Sequence, residues 1–219
     1  MKVKESYAVK KPNEITFEEI CLAEPVSCLT HARDISGIRK NEGVIILGSG
    51  VMGISLLQVL LATREPKYVI MVDFNQSLLD KAMELGASAC FKPKQKVKIR
   101  KFIRENGACS FVFDCAGTES SYLLSLELVE KGGTVLLEGI KRGNIPIPMF
   151  MIVYNEIVVK GSYCQTRKDF LEAIELIKNK KINTQKMISN IISLEKVQEG
   201  IERMKKSDRT EIKILIKIS

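Results

Sequence analysis

The 219-residue sequence predicts an α/β fold, a doubly wound parallel sheet with helices on both faces. First, short β-branched apolar runs alternate along the chain with longer segments of helical periodicity. Second, residues 43–63, "GVIILGSGVMGISLLQVLLAT", pass from a strand-like run through three glycines into a helix-like run. Third, Asp73 ends the next strand-like run. Ligands of such sheets bind at the carboxyl ends of the strands, so we expect the functional site there.

The strand-like and helix-like runs follow one another in order. We predict strands at 44–47, 68–73, 89–91, 109–117, 134–140 and 156–164, and the longer apolar segment 145–164 is strand-like throughout. We predict helices at 51–62, 77–86, 92–104, 119–133 and 168–181. The two ends break this alternation: residues 1–27 hold no strand–helix unit, and residues 182–219 give the helix "SLEKVQEGIERMKKS" and the edge strand "EIKILIKI".

The uncharged stretch 43–63 is long enough to suggest a membrane span, because about 18 apolar residues can cross a bilayer. Its glycines, Gly48, Gly50 and Gly53, favour a buried strand, a turn and a buried helix instead, since glycine is unfavourable inside a helix. The N-terminal "MKVKESYAVKKPNE" has no apolar core of a secretory signal. We therefore expect no membrane partner and a cytoplasmic location.

Most of the formal net charge of +8 lies in residues 92–104, "KPKQKVKIRKFIR", which contain seven basic residues and no acidic one. One interpretation is a surface for nucleic acid or another polyanion. The other is the solvated face of a surface helix whose Val97, Ile99, Phe102 and Ile103 face the core. No set of aromatic side chains alternates with the basic ones, as base stacking requires, so we favour the surface helix and expect no nucleic-acid partner.

The six cysteines include no C-x-x-C pair. Cys90, Cys109 and Cys115 lie in or beside strand-like runs, where a thiol packs as a small hydrophobe. We predict that all six are reduced, and we expect neither a disulfide scaffold nor a four-cysteine zinc site.

The segment "GSGVMG" has the pattern G-x-G-x-x-G between a predicted strand and a predicted helix, which is the context that a dinucleotide-binding turn needs. Gly48 permits the tight turn, Gly50 lets a pyrophosphate approach the backbone, and Gly53 lets the helix pack closely on the strand. Val51 and Met52 open the helix, whose free N–H groups and partial positive charge favour phosphate.

Asp73 completes the pattern, because it ends the second strand 20 residues after Gly53. A carboxylate there accepts hydrogen bonds from the adenosine ribose and repels a 2′-phosphate, so NAD is favoured over NADP. The alternative is that Asp73 only caps the next helix.

Eight segments carry a family resemblance: "PNEITFEEICLAEPVSCLTHA", "VIILGSGVMG", "VDFNQSLLDKAMELGA", "FDCAG", "GGTVLLEGI", "KGSY", "FLEAIELIKNKKI" and "SLEKVQEGIERM". In order and spacing they are similar to the medium-chain dehydrogenase/reductase family, especially its zinc-dependent alcohol and polyol branch, which includes sorbitol and threonine dehydrogenases. The resemblance implies a Rossmann domain with remnants of a GroES-like catalytic domain at both termini. Residues 1–27 would be a remnant and entry segment, 28–166 the NAD-binding domain, and 167–219 helices and a strand returning to the catalytic domain.

The resemblance implies an NAD-dependent oxidoreductase that transfers hydride between NAD and a secondary alcohol or polyol. In the family, zinc polarises the alcohol oxygen. The alternative is a truncated or split module that binds NAD but does not catalyse alone, with its catalytic domain encoded separately. The implied partners are the small-molecule alcohol or polyol and further copies of the chain in a dimer or tetramer.

The resemblance implies one candidate for the metal site. Glu24 in "AEPVSC" matches a residue that ligates zinc in the polyol branch or lies one water away from it. The family's zinc-binding Cys and His-Glu pair have no counterpart in the sequence, and catalytic zinc takes three protein ligands. We therefore expect this chain not to hold zinc tightly. His31, the single histidine, matches a position that is not a ligand, and we expect it to be structural or on the surface.

The remaining site residues are also implied by the resemblance, which identifies no catalytic residue in this chain. Cys28 and Met52 match residues that line the nicotinamide pocket. Leu78 stands where a Lys or Arg often contacts the adenosine, which weakens the implied affinity for NAD. The cofactor-contacting turns match Cys115, Ala116 and Gly117 after the fourth strand and Gly139 and Ile140 after the fifth. Lys213 matches a basic residue near the pyrophosphate, or is a solvent-facing strand lysine.

Overall fold

The computed structural model describes residues 2, 4–140, 143–206 and 208–218. Its main sheet contains β1 (Gly43–Leu47), β2 (Tyr68–Val72), β3 (Ala89–Phe91), β4 (Cys109–Asp114), β5 (Thr134–Leu137) and β6 (Val158–Gly161). All neighbouring strands are parallel, in the order β3-β2-β1-β4-β5-β6. The predicted doubly wound parallel sheet is confirmed, and its strand order reverses between β1 and β4, the position where such sheets bind ligands.

Helices cover both faces of this sheet. The described α-helices are α1 (Phe17–Ile20), α2 (Ala23–Ser36), α3 (Val51–Thr63), α4 (Gln76–Glu84), α5 (Lys96–Asn106), α6 (Glu119–Leu128), α7 (Met149–Tyr154), α8 (Arg167–Lys178), α9 (Thr184–Met187) and α10 (Val197–Lys205), of which α10 lies away from this sheet. One hydrophobic core contains side chains of α2, α3, α4 and α8, and the other contains side chains of α5 and α6. Val44 and Ile46 of β1 face the first core while Ile45 and Leu47 face the second, because successive strand side chains point to opposite faces.

An ion pair joins the two helices that cover the outer part of the first core. The buried guanidinium of Arg33 in α2 donates from Nη1 and Nη2 to the two carboxylate oxygens of Glu172 in α8, at 2.6 and 2.8 Å. A buried arginine is costly unless it is paired in this way. The pair therefore fixes α2 against α8, and with it the residues that α2 presents to the site.

The uncharged stretch 43–63 divides into a strand, a glycine turn and a helix, as predicted. β1 ends at Leu47 and α3 begins at Val51, and most of both elements is buried. Among the described residues, no helix combines the length and apolarity needed to cross a bilayer.

The prediction of one long strand-like segment at 145–164 is wrong in its first half. Residues Met149–Tyr154 form α7, and only Val158–Gly161 form a strand. Pro146 and Pro148 have no N–H group for a strand ladder, and Pro148 immediately precedes the helix. The predicted strands 109–117 and 134–140 are also shorter, ending at Asp114 and Leu137, which leaves their glycine-containing ends as turns.

The C-terminal part contains one strand that the sequence analysis did not predict. β7 (Ile188–Ser193) pairs in parallel with β8 (Lys213–Lys217) as a separate two-stranded sheet, and α10 packs beside it. The predicted C-terminal strand is β8, and the predicted helix is confirmed over the shorter range of α10. The sequence of β7, "ISNIIS", is short and polar enough to be mistaken for a connection.

The basic segment contains the surface helix α5, but one predicted core residue is wrong. Ile99 is fully buried and Phe102 and Ile103 pack against the core, whereas Val97 is 80% exposed. Val97 and Ile99 are two residues apart, which places them on opposite sides of a helix at 3.6 residues per turn. The free thiols predicted for all six cysteines are confirmed.

The predicted division of the chain into residues 1–27, 28–166 and 167–219 stays a prediction. α2 runs through the boundary at 27/28 without interruption, whereas the boundary at 166/167 coincides with the start of α8, where Thr166 is the N-cap.

Candidate functional site: the carboxyl end of the parallel sheet

The turn between β1 and α3 has a backbone that needs glycine at two positions. Gly48 has a φ of 98°, and its N–H donates to the carbonyl of Val72 at 2.8 Å. A Cβ atom on Gly53 would lie 1.8 Å from the carbonyl oxygen of Gly48, so any side chain there would collide with backbone. The chain therefore folds back tightly from the end of β1 into α3, as the glycine spacing predicts.

The space in front of α3 is open. Among the described residues, a Cβ atom on Gly50 would come within 4 Å of one atom beyond its immediate neighbours, Nη2 of Arg209 at 3.8 Å. Gly50 is the N-cap of α3 and has no side chain to cap the first amides of the helix, which belong to Val51 and Met52. These amides and the helix dipole favour an anion here. Gly50 and the amides of Val51 and Met52 therefore form a phosphate cradle, which fits a phosphate group of a dinucleotide.

Asp73 binds the glycine turn through its carboxylate. Its Oδ2 accepts the N–H of Ser49 at 2.6 Å, and its Oδ1 accepts the N–H of Asn75 at 2.8 Å. The N-cap of α4 is Asn75, whose side chain accepts the N–H of Leu78, so Asp73 does not itself cap that helix. Asp73 is half-buried, at the end of the strand next to the turn. A carboxylate in this place can accept hydrogen bonds from ribose hydroxyls, which stays a prediction.

A cavity of about 150 Å³ opens beside this carboxylate. Its walls come from the ends of β1 and β2, the turn after β4 and the start of α6, and they are mainly apolar. The lining includes Gly48, Asp73, Phe74, Ala116, Thr118 and Leu124. Leu78 of α4 is buried in the core. This position therefore provides no cation for the adenosine, whereas the family often has a Lys or Arg there.

The turns after β4 and β5 touch each other. Gly117 has a φ of 63°, and a Cβ atom on it would lie 2.6 Å from the carbonyl carbon of Gly139. Asp114 holds the first turn, since its Oδ1 accepts the N–H groups of Ala116 and Gly117, both at 3.0 Å. Ile140, which follows in the second turn, is exposed. The structure thus brings these predicted cofactor residues to the same sheet end as the glycine turn, while their contact with a cofactor stays a prediction.

Cys28 and His31, which lie on α2 with the metal candidate Glu24, have partners within the fold. The buried Cys28 thiol donates to Oε1 of Gln165 at 3.2 Å and lies 3.8 Å from Oε1 of Glu24. Burial and then the Glu24 carboxylate raise the pKa of Cys28 to about 12, whereas a thiol binds metal as the thiolate. Nδ1 of His31 lies 3.1 Å from Oδ2 of Asp169, which supports a structural role for the histidine.

The donor set does not fit a catalytic zinc ion. Among the described residues, no three His, Cys, Asp or Glu side chains are grouped so that they could hold a metal. Glu24 is the one matched candidate, and a single carboxylate is too few for a site that needs three protein ligands. We therefore assign no chemical step to zinc in this chain.

The sequence analysis missed a buried carboxyl group at the end of β5. Glu138 is 8% exposed, and its Oε2 has no hydrogen-bond partner among the described residues. The hydroxyl oxygen of Ser162, after β6, lies near this carboxyl group and is likewise buried, with no hydrogen-bond partner within 3.5 Å among the described residues. Burial raises the pKa of Glu138, an effect that Ser162 and His31 partly offset. An acidic residue directly after the buried run "TVLL" was the sequence signal that could have identified it.

Replacing Glu138 by glutamine should stabilise the fold at neutral and alkaline pH. The folded pKa is raised, so the folded state favours the neutral carboxyl and loses stability as pH rises from the unfolded value towards the folded one. Glu138→Gln removes this charge, and we expect a gain on the order of 1 kcal/mol at pH 8. The gain should shrink as the pH falls towards 5. Urea unfolding at several pH values measures it.

The exposed Glu175 of α8 provides the control for this change, since Glu175→Gln alters the same charge on the surface. It should leave the free energy of unfolding nearly unchanged at both pH values. A Glu138→Gln variant whose stability difference from wild type does not vary with pH would contradict the assignment of a raised pKa.

The basic residue that lies near the phosphate cradle is not the predicted one. Lys213, matched through the family resemblance, opens β8 and pairs in register with Ile188. Arg209, which no motif indicated, is the residue whose guanidinium lies at Gly50. Nothing in the local sequence around Arg209 indicates this contact, because it depends on how the segment before β8 returns to α4.

Comparison with known proteins identifies the family. The model of the zinc-binding dehydrogenase family matches residues 50–179, more than half of the chain. This chain therefore belongs to the zinc-binding dehydrogenase family. The predicted family resemblance is confirmed.

Relatives and solved structures agree with this family. The chain is 28% identical over 207 residues to the D-xylulose reductase A of Aspergillus niger, covering 92% of this chain and 58% of the relative. It is 29% identical to the sorbitol dehydrogenase of Gallus gallus, covering 97% and 60%. A Sinorhizobium meliloti 1021 structure described as a zinc-binding dehydrogenase bound to NADP has a TM-score of 0.87 and 27% identity, covering 98% of this chain and 63% of that one.

A second solved structure, the L-idonate 5-dehydrogenase of Escherichia coli, has a TM-score of 0.89 at 22% identity, covering 100% of this chain and 62% of that one. At this identity it supports the fold alone. The chain spans 58% of the length of the reductase and 60% of the length of the sorbitol dehydrogenase.

Proposed function

We propose that this chain is the cofactor-binding part of an NAD-dependent oxidoreductase that transfers hydride between NAD and a secondary alcohol or polyol. The observation that carries the proposal is the glycine turn, in which the Ser49 amide is bound by Asp73 and the start of α3 is open in front of Gly50. This geometry places a phosphate cradle after β1 and a carboxylate that can bind ribose after the neighbouring strand β2.

The described residues have binding and orienting roles in this proposal. The α3 amides and the adjoining glycines would bind the pyrophosphate, and Asp73 would bind the adenosine ribose. When bound, the nicotinamide supplies the hydride acceptor or donor. The turns that contain Gly117 and Gly139 would form the wall against which the nicotinamide half lies. The wall fixes the ring's orientation, on which hydride transfer depends.

The proposed substrate class rests on the relatives. Two proteins to which this chain is similar are named as a D-xylulose reductase and a sorbitol dehydrogenase, and both names denote polyols or their keto sugars. We extend this class to the present chain as a secondary alcohol or polyol. The choice of NAD rests on Asp73, since one similar structure contains NADP and another, of an Escherichia coli alcohol dehydrogenase, contains NADH.

The test of this function is an assay of NADH absorbance with sorbitol, xylitol and other secondary alcohols. We expect the 219-residue chain alone to bind NADH but to give little or no turnover, because the described residues provide one matched metal ligand and hydride transfer needs the alcohol held close to the nicotinamide. Adding a separately produced catalytic domain of a relative should raise turnover if a complementary domain is what the chain uses.

Two results would contradict parts of this account. Robust turnover by the chain alone would show that its residues form a complete site and would overturn the module alternative. A folded chain without NADH binding would contradict the oxidoreductase proposal itself. Turnover that appears only with the added domain would support the alternative of a split enzyme.

We also propose that two copies of the chain associate through β6. This strand is the last in the sheet order, so its outer edge is unpaired within the described chain. The neighbouring α7 exposes Met149, Phe150, Val153 and Tyr154. An open strand edge beside an apolar helix is an aggregation hazard unless it is covered, and a second copy that continues the sheet would cover both.

A further inference from the structure

The guanidinium of Arg209 has an unusual position. Its Nη2 lies 3.8 Å from the place of a Cβ atom on Gly50, at the open start of α3. The positive end of a helix dipole repels a cation, so an arginine here is unfavourable unless an anion lies between the two. The position therefore points to an anionic ligand that both groups bind.

A second observation, independent of the helix, points the same way. Nε of Arg209 is buried and has no hydrogen-bond partner among the described residues. The bond found for its guanidinium is a long one, from Nη1 to the carbonyl of Lys206 at 3.4 Å. A buried N–H donor without a partner is costly, and a phosphate oxygen would satisfy it. Guanidinium groups bind phosphate with two parallel N–H donors, a geometry that a lysine does not provide.

The backbone around Arg209 is fixed by the helix that follows Asp73. The side-chain amide of Asn75 donates to the carbonyl of Arg209, and the ammonium of Lys81 donates to the carbonyl of Thr210. The N–H of Asn75 in turn donates to Asp73. Asn75 thus links the carboxylate proposed to bind ribose with the segment that carries the guanidinium. Arg209 is therefore held beside the cradle by α4 and its N-cap.

We propose that Arg209 is a binding residue for the pyrophosphate of the dinucleotide, and that the bound phosphate joins the segment before β8 to the start of α3. The inference deepens the proposed function and rests on it. It gives the phosphate contact to Arg209, whereas the family resemblance gave it to Lys213. Arg209 binds and positions the cofactor and takes no part in hydride transfer.

The test compares three probes, NADH, ADP and adenosine, by isothermal titration calorimetry on the full chain. Arg209→Gln should weaken NADH and ADP by about 10- to 100-fold and leave adenosine unchanged, because adenosine has no phosphate. Arg209→Lys should give a smaller loss, since it keeps the charge and loses the paired donors. Raising the salt concentration should weaken NADH binding to wild type more than to Arg209→Gln.

The controls separate this contact from general charge and from folding. Lys206→Gln removes an exposed positive charge three residues away and should change none of the three affinities. Thermal unfolding shows whether Arg209→Gln is folded. If it is not, the three affinities are compared between wild type and Arg209→Lys. Lys213→Gln tests the rival assignment.

The outcomes are distinguishable. Loss of NADH and ADP affinity with adenosine retained supports the phosphate contact. Wild-type affinities in Arg209→Gln, an equal loss for adenosine, or a phosphate-specific loss in Lys213→Gln alone would overturn it while leaving the proposed function intact. A wild-type chain that binds none of the probes would overturn both.

Discussion

The chain is expected to bind NADH at least about 100-fold more tightly than NADPH, a difference of about 2.7 kcal/mol. The cause is the carboxylate of Asp73, which lies at the end of β2 with both oxygens bound to backbone amides. These bonds fix its position, so it cannot move away from a 2′-phosphate, and the two negative groups would repel each other in a partly buried site. Titration with each cofactor measures the difference.

Two variants test which property of Asp73 sets the preference. Asp73→Asn removes the charge but keeps an oxygen that can accept the N–H of Asn75, so the preference should narrow while the turn remains folded. Asp73→Ala with Phe74→Arg adds a cation in the lining of the same cavity and should remove or reverse the preference. Equal affinity of the wild-type chain for NADH and NADPH would contradict this role for Asp73.

The second large effect is expected in self-association. We expect the wild-type chain to form dimers at micromolar concentration and Phe150→Glu to weaken them at least about 30-fold, since an exposed aromatic in an interface contributes about 2 kcal/mol or more. Phe150 is 76% exposed, and its ring stacks on Tyr154 at 5.3 Å between centroids, so its replacement should not disturb the core. Analytical ultracentrifugation over a concentration series measures the change.

Phe17 provides a matched control for this substitution. It is 75% exposed, in α1, and outside the α7–β6 surface. Phe17→Glu adds the same charge and removes the same apolar area, so it should leave the dimer unchanged. A wild-type chain that sediments only as a monomer, or dimers that both variants weaken equally, would contradict association through β6.

The sequence predicted the sheet well because its signals are local. The β-branched run at 44–47 and the three glycines specify a buried strand and a tight turn without help from distant residues, and Gly53 could carry no side chain against Gly48. The sequence was less informative where the local signal was ambiguous. The apolar run at 149–154 fits a strand or a helix equally well, and the prolines before it decide for the helix.

The site residues that the sequence missed depend on tertiary contacts. Arg209 reaches Gly50 because Asn75 and Lys81 hold the returning chain, and no spacing rule connects positions so far apart. Glu138 is buried because β5 and β6 end side by side. The N–H of Ser162, just after β6, donates to the carbonyl of Leu137, and the chain there covers Glu138. The contacts of Cys28 and His31 with Gln165 and Asp169 of the distant C-terminal part likewise required the fold.

The central claim is that the glycine turn after β1 binds a dinucleotide. A crystal structure of the chain grown with NADH tests it most directly. We predict the pyrophosphate at the start of α3 within hydrogen-bond distance of Arg209, and the adenosine ribose on Asp73 beside the cavity at Phe74. NADH bound at another place, or a folded chain at saturating NADH with no cofactor at the turn, would contradict the account.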